Sequence, residues 1–94
     1  MRKTYTTPVL NLNGSNGKDL LDELSTARDL LQKAREAVAS VTVHGRDFQT
    51  QPDGSLLQAR LEQHVAIFHL DGAIDWVEAN LDSVRDQLSA RGDI

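Results

Sequence analysis

Cysteine is absent from the chain, which excludes disulfides and thiolate metal sites and makes a reducing compartment the expected setting. Aromatic side chains are scarce, with one Trp, one Tyr and two Phe, leaving Leu, Ala and Val as packing material, the palette of a helical bundle. No stretch approaches the roughly 20 consecutive apolar residues that span a bilayer. The opening Met-Arg-Lys-Thr-Tyr-Thr-Thr-Pro has no apolar run of signal-peptide length after its two bases, so export by that route is not expected. An excess of positive charge is also lacking: the formal net charge is −4, whereas binding a phosphate backbone rests on clustered Lys and Arg. These absences predict a soluble cytoplasmic protein with no membrane partner, and they disfavour nucleic acid as the main partner.

Chemical motifs are missing as well. There is no Ser/His/Asp set, no Gly-rich phosphate loop and no base-reading motif. His64 and His69 are five apart and point more than about 100° away from one another on a helix, so they do not make the i,i+4 pair that binds zinc. Paired carboxylates need a cleft to shift their pKa values, and amphipathic helices offer none. No catalytic, cofactor-binding or metal-ligating residue is assigned, no cofactor is expected, and the chain reads as a non-enzyme.

What the sequence does contain is periodicity, most of it between Ser55 and Arg91. At a helical repeat, Ile67, Leu70, Ile74, Val77, Leu81, Val84 and Leu88 fall on one face at 3- and 4-residue spacing. Leu57, Leu61, Val65, Phe68, Gly72, Trp76 and Ala79 trace a second stripe, roughly 170° from the first. One helix with two nearly opposite apolar faces cannot be covered by a single neighbouring helix. The surplus face, Leu57, Leu61, Val65, Phe68, Gly72 and Trp76, predicts a partner, most economically another copy of the chain. With 94 residues the chain is one short domain, for which oligomerisation is a common way to add core. Gly72 is the place where this helix could break. Its cost of about 1 kcal/mol against Ala is tolerable in a well-packed helix, so the helix is expected to continue through it. The bare Cα one turn before Trp76 makes room for a partner beside an indole, the side chain most enriched at interface hot spots.

Taken in order, residues 1–15 form an arm. The alternation of Leu10 and Leu12 with Asn11 and Asn13 suggests a short extended stretch with one apolar edge, either docking on a partner or tucked against the nearest helix. The first helix is expected from Asn16, a suitable N-cap with Asp19 three residues on, over about residues 17–41. Leu20, Leu24, Ala27, Leu31, Ala34, Val38 and Val41 keep an unbroken 4-3 spacing, serving as a coiled-coil-like seam or as the core face of a hairpin. The β-branched Val41-Thr42-Val43 ahead of Gly45 ends it. The connection over residues 42–54 is longer than most helix-to-helix links. In it, His44, Arg46, Asp47 and Phe48 read as a recognition loop, or else as a plug at the end of the hairpin with Phe48 inside. The second helix, about residues 55–91, is expected to open on Ser55 with Gln58 in capping-box spacing and to stop before Gly92. Asp71, Asp75, Glu78, Asp82 and Asp86 make an acidic stripe along it, a docking face for a basic partner or a solvated face partly neutralised by Arg85 and by Arg or Lys from the first helix or another subunit.

Lengths of about 37 Å and 54 Å for helices of roughly 25 and 36 residues imply an overhang. Pairing back from the loop would leave Leu81, Val84 and Leu88 to be covered by the arm residues Val9, Leu10 and Leu12, or by another subunit.

The Asn-Leu-Asn-Gly opening, the HGRDF segment at residues 44–48 and a second long amphipathic helix together resemble small uncharacterised helical proteins encoded by bacteriophages and prophages. That resemblance implies a phage origin, a bacterial host cytoplasm as the setting and an accessory or assembly role, and it carries over no functional residue. The fold predicted is all-α: an antiparallel hairpin of two long helices with an extended N-terminal arm, pairing into a dimeric four-helix bundle. The function expected is a non-enzymatic structural or protein-interaction module, with a nucleic-acid-associated regulator acting through Arg2, Lys3 and the loop bases as the alternative.

Overall fold

A computed structural model describes residues 4–11 and 16–94. Among the described residues the chain is all-helical, with no strand: α1 spans Gly17–Ala39, a 3-10 turn spans Gly45–Phe48, and α2 spans Ser55–Ala90. The two α-helices pack against each other. The Leu12 and Asn13 half of the expected alternation lies outside the described residues.

Asn16 caps α1, its side-chain oxygen accepting the Lys18 N–H at 2.9 Å and so satisfying one of the donors that the first turn leaves without a partner. The helix stops at Ala39, just before the β-branched residues. The Ser40 N–H is shared between Glu36 O and Ala37 O, and the Val41 N–H reaches Val38 O at 3.2 Å, a tightening of the last turn. Gln63, on α2, donates its amide to Val38 O at 3.0 Å and Val41 O at 2.9 Å, adding a second donor to the first carbonyl and satisfying the second just past the helix end. Because the helix ends there, Val41 leaves the seam that its spacing suggested and stands 60% exposed.

α2 runs unbroken for 36 residues through Gly72. Its start differs from the capping box expected at Ser55. Gly54, at φ 87°, is the N-cap, and no side chain makes a cap bond there. The Ser55 hydroxyl donates back to Pro52 O at 2.7 Å, closing the Pro52-Asp53-Gly54 turn, and Ser55 is already the first helical residue, one place past the cap. At the other end Gly92, at φ 75°, lets Asp93 N–H reach Leu88 O at 2.9 Å and Gly92 N–H reach Ser89 O at 3.0 Å, the bond pattern of a left-handed C-terminal cap.

The core lies towards the C-terminal end of α2. Leu81 and Val84 are fully buried, joined by Leu10, Leu24, Val77 and Leu88, with Leu20, Leu21, Ala27 and Leu31 packed around them. The overhang expected at Leu81, Val84 and Leu88 is therefore absent. Leu81, Val84 and Leu88 face the first turns of α1 and Leu10 of the arm, and the surplus length of α2 lies at its N-terminal end. The cause is the connection. It does not reverse in a tight turn; its 3-10 turn lies beside the start of α2, where a Cβ on Gly45 would stand 3.4 Å from Leu56 Cδ2. Slack in that segment lets α1 sit further along α2 than a short hairpin would.

Side chains from the last turns of α2 hold the arm. Gln87 Oε1 accepts the Leu10 N–H at 2.7 Å, Gln87 Nε2 donates to Pro8 O at 2.9 Å, and Arg91 Nη2 donates to Leu10 O at 2.7 Å. These bonds satisfy an extended backbone that has no strand to pair with, and they drop Leu10 into the core while Val9 points outward, 88% exposed.

The result is a rod. Its extents are 62 × 22 × 18 Å and its radius of gyration is 19.1 Å, against about 12 Å for a compact chain of this length. Its accessible surface of 6924 Å² at 10.4 kDa compares with about 5,400 Å² for a typical folded monomer of that mass.

Candidate functional site

The surplus surface includes the outer face of α2. The inner stripe is covered: Ile74, Val77, Leu81, Val84 and Leu88 are buried, and Ile67 and Leu70 half-buried. On the opposite side Leu57, Leu61, Val65, Phe68 and Trp76 are all exposed, from 49% at Leu61 to 72% at Phe68. Gly72 sits among them with nothing within 4 Å of where its Cβ would be, and Ala79 closes the row half-buried. From Leu57 to Ala79 the stripe is about 33 Å long on a helix about 10 Å across. A contiguous apolar strip of some 300 Å² reaches the size at which patches on monomers are often functional. Phe68 makes one ring contact, edge-on to His69 with centroids 6.2 Å apart, and that neighbour leaves its outer side open. Leu30, on α1, is also exposed but stands apart from this row.

The acidic stripe divides into paired and unpaired members. Arg35 of α1 grips Asp71 with Nε and Nη2, and Arg85 Nη1 lies 3.9 Å from Asp82. Asp71, chiefly by accepting those hydrogen bonds and then by its charge, raises the Arg35 guanidinium above its ordinary pKa. The pair is nearly half-exposed on both sides, so it fixes the rotation of α1 against α2 more than it stabilises the fold. Asp75 has no such partner among the described residues.

The HGRDF segment is built as a capped turn. His44 Nδ1 accepts the Arg46 N–H at 3.0 Å and His44 O accepts the Asp47 N–H at 3.0 Å. Phe48 is half-buried, while Arg46 and Asp47 stand exposed. His44 thus serves the local backbone, and the turn lies at the far end of the rod from the core.

Two features of the surface carry no periodic signal in the sequence. One is the latch of Gln87 and Arg91 on the arm. Both residues are polar and fall at the edge of the inner stripe, so a hydrophobic pattern passes over them. The other is the order of charge along one flank of the outer stripe, where Arg60 and His64 precede Asp71 and Asp75. The acids stand out by repetition, and the bases about two and three turns earlier do not.

Among the described residues no helix is long and apolar enough to cross a membrane, and no group of three or more His, Asp or Glu side chains is placed to hold a metal ion. No family model matches the chain, and neither the curated proteins nor the solved structures give a match.

Proposed function

We propose that this chain is a non-enzymatic interaction module whose copies pair through the outer face of α2. The observation that supports it is the exposed, continuous row Leu57, Leu61, Val65, Phe68 and Trp76 on a rod with roughly 1,500 Å² more surface than its mass calls for. A standard specific interface removes about 800 Å² from each partner, so the excess is large enough to supply one. The two stripes of α2 lie on opposite sides, so pairing sets the four helices in a flat stack, with both copies of α2 in the middle and each α1 outside. Nucleic acid is disfavoured as the occupant, because Asp75 and Asp82 border this face and would meet a phosphate backbone with like charge. An accessory or assembly role in a phage or prophage setting, which the resemblance through HGRDF implies, suits a part whose chemistry is association. The exposed Arg46 and Asp47 at the tip of the rod are available to a further protein in the same assembly.

Trp76 is the only tryptophan and stands 50% exposed in the isolated chain, which makes it a reporter. Its emission should shift to the blue as concentration rises, in step with a rise in light-scattering mass from 10.4 kDa towards twice that value. A constant 10.4 kDa with unchanged emission up to millimolar concentration overturns the proposal.

A further inference from the structure

We infer that the two copies of α2 meet antiparallel, in a register centred on Phe68, with Arg60 of each copy against Asp75 of the other. This inference rests on the pairing proposed above and adds its direction and register. Three observations carry it.

The first is charge order. Arg60, Asp71 and Asp75 lie on one flank of the outer stripe, base first and acids later along the chain. In an antiparallel pair the same flank of each helix faces its own copy with the direction reversed, so the basic half of one flank meets the acidic half of the other. Asp71 is occupied by Arg35 of its own chain, whereas Asp75 and Arg60 make no ion pair among the described residues. They are the opposite charges left over, and in this register they stand level. A parallel pair would instead turn this flank towards Glu62, His69 and Ala73, which gives Arg60 an acid but leaves Asp75 level with Ala73 and without a base.

The second is shape. Centring the register on Phe68 sets Val65 against Gly72, Leu61 against Trp76 and Leu57 against Ala79, so each larger side chain on one helix faces a smaller partner or a gap on the other. Only the Phe68 pair meets like with like, at the two-fold axis, where an offset between rings is allowed by symmetry. The third is Gly72 itself. Nothing lies within 4 Å of its missing Cβ, so the isolated chain gives no packing reason for a residue that weakens a helix interior. Opposite Val65, the missing side chain lets the two backbones approach.

The absence of cysteine from the chain makes engineered thiols a clean test in the full chain. Under mild oxidation, Phe68→Cys should cross-link to itself. Leu57→Cys should not, but should cross-link to Ala79→Cys when the two variants are mixed, since a disulfide requires Cα atoms within about 7 Å. Because Phe68→Cys removes apolar surface, Val65→Cys mixed with Gly72→Cys serves as a second pair near the centre and should also cross-link. Arg60→Glu and Asp75→Arg should each weaken association about fivefold or more, as expected of a rim ion pair, and combining both changes in one chain should restore it. Self-cross-linking of Leu57→Cys in an associating chain means a parallel pair and overturns the register while leaving the pairing intact. Association in which neither mixed pair cross-links overturns the register too; if Phe68→Cys also fails to cross-link to itself, another face is in contact and the pairing proposal falls with it. A native chain that does not associate at all defeats the underlying proposal instead.

Discussion

Gly17 lies directly beneath Leu88: a Cβ placed on it would stand 2.8 Å from Leu88 Cδ2 and 3.1 Å from Leu10 Cδ1. The first turn of α1, the last turns of α2 and the arm therefore converge on one missing side chain. Leu88 is 3% exposed, so it has little room to turn aside. Gly17→Ala should lower the urea midpoint by an amount equivalent to about 1 kcal/mol, the low end of overpacking costs, since a helix-propensity gain offsets part of the clash. Gly72→Ala should do the reverse in dilute solution, raising stability by about 0.5–1 kcal/mol because nothing occupies the space, while weakening association at high concentration. A midpoint that moves in the same direction for both variants would contradict this reading.

Gln87 is the hinge-pin of the arm. Its amide receives Leu10 N–H and donates to Pro8 O, so Gln87→Ala leaves two backbone groups to find water and removes the tether that sets Leu10 in the core. A loss of about 1–2 kcal/mol is expected, at the scale of two modest hydrogen bonds. Amide exchange at Leu10 should accelerate well before exchange at Leu81, and limited proteolysis should cut near residues 8–11 in the variant and not in the native chain. Equal protection of Leu10 in both would show that the apolar contact and the Arg91 bond hold the arm without Gln87.

The two faces of α2 should respond differently to the same change. Leu81→Ala empties a site that is 1% exposed and should cost about 2–5 kcal/mol in folding. Leu61→Ala, at a site 49% exposed, should cost well under 1 kcal/mol in dilute solution yet reduce association. Chemical denaturation at low and high concentration separates the two effects, since only association makes the midpoint depend on concentration.

Much of this architecture was legible in the sequence because it rests on period. The 3- and 4-residue spacing from Ile67 to Leu88 predicts the buried stripe, and the second spacing from Leu57 to Trp76 predicts the exposed one. The helix through Gly72 and the stop at Gly92 follow from local rules. Where the expectation failed, tertiary geometry had decided. Ser55 is not the cap because the Pro52-Asp53-Gly54 turn puts Gly54, in a left-handed conformation, at that position and Ser55 inside the first turn. Val41 drops out of the α1 seam because the helix ends two residues earlier. The axial offset of α1 depends on how the connection folds beside Leu56, and this also moved the overhang from the C-terminal end of α2 to its N-terminal end. No periodic pattern encodes such an offset. Nor does one reveal the Gln87 latch, which needs the arm in place to have any meaning.

The central claim is that the outer face of α2 is a contact surface between copies, and Phe68, 72% exposed at its middle, is the residue on which to test it. Sedimentation equilibrium of the native chain beside Phe68→Glu, over about a hundredfold range of concentration and with helicity checked by circular dichroism, reads this out directly. The account predicts a native mass rising from 10.4 kDa towards twice that value, and a variant of unchanged helicity that remains at 10.4 kDa throughout. Identical curves for the two proteins, whether both monomeric or both associated, would contradict it.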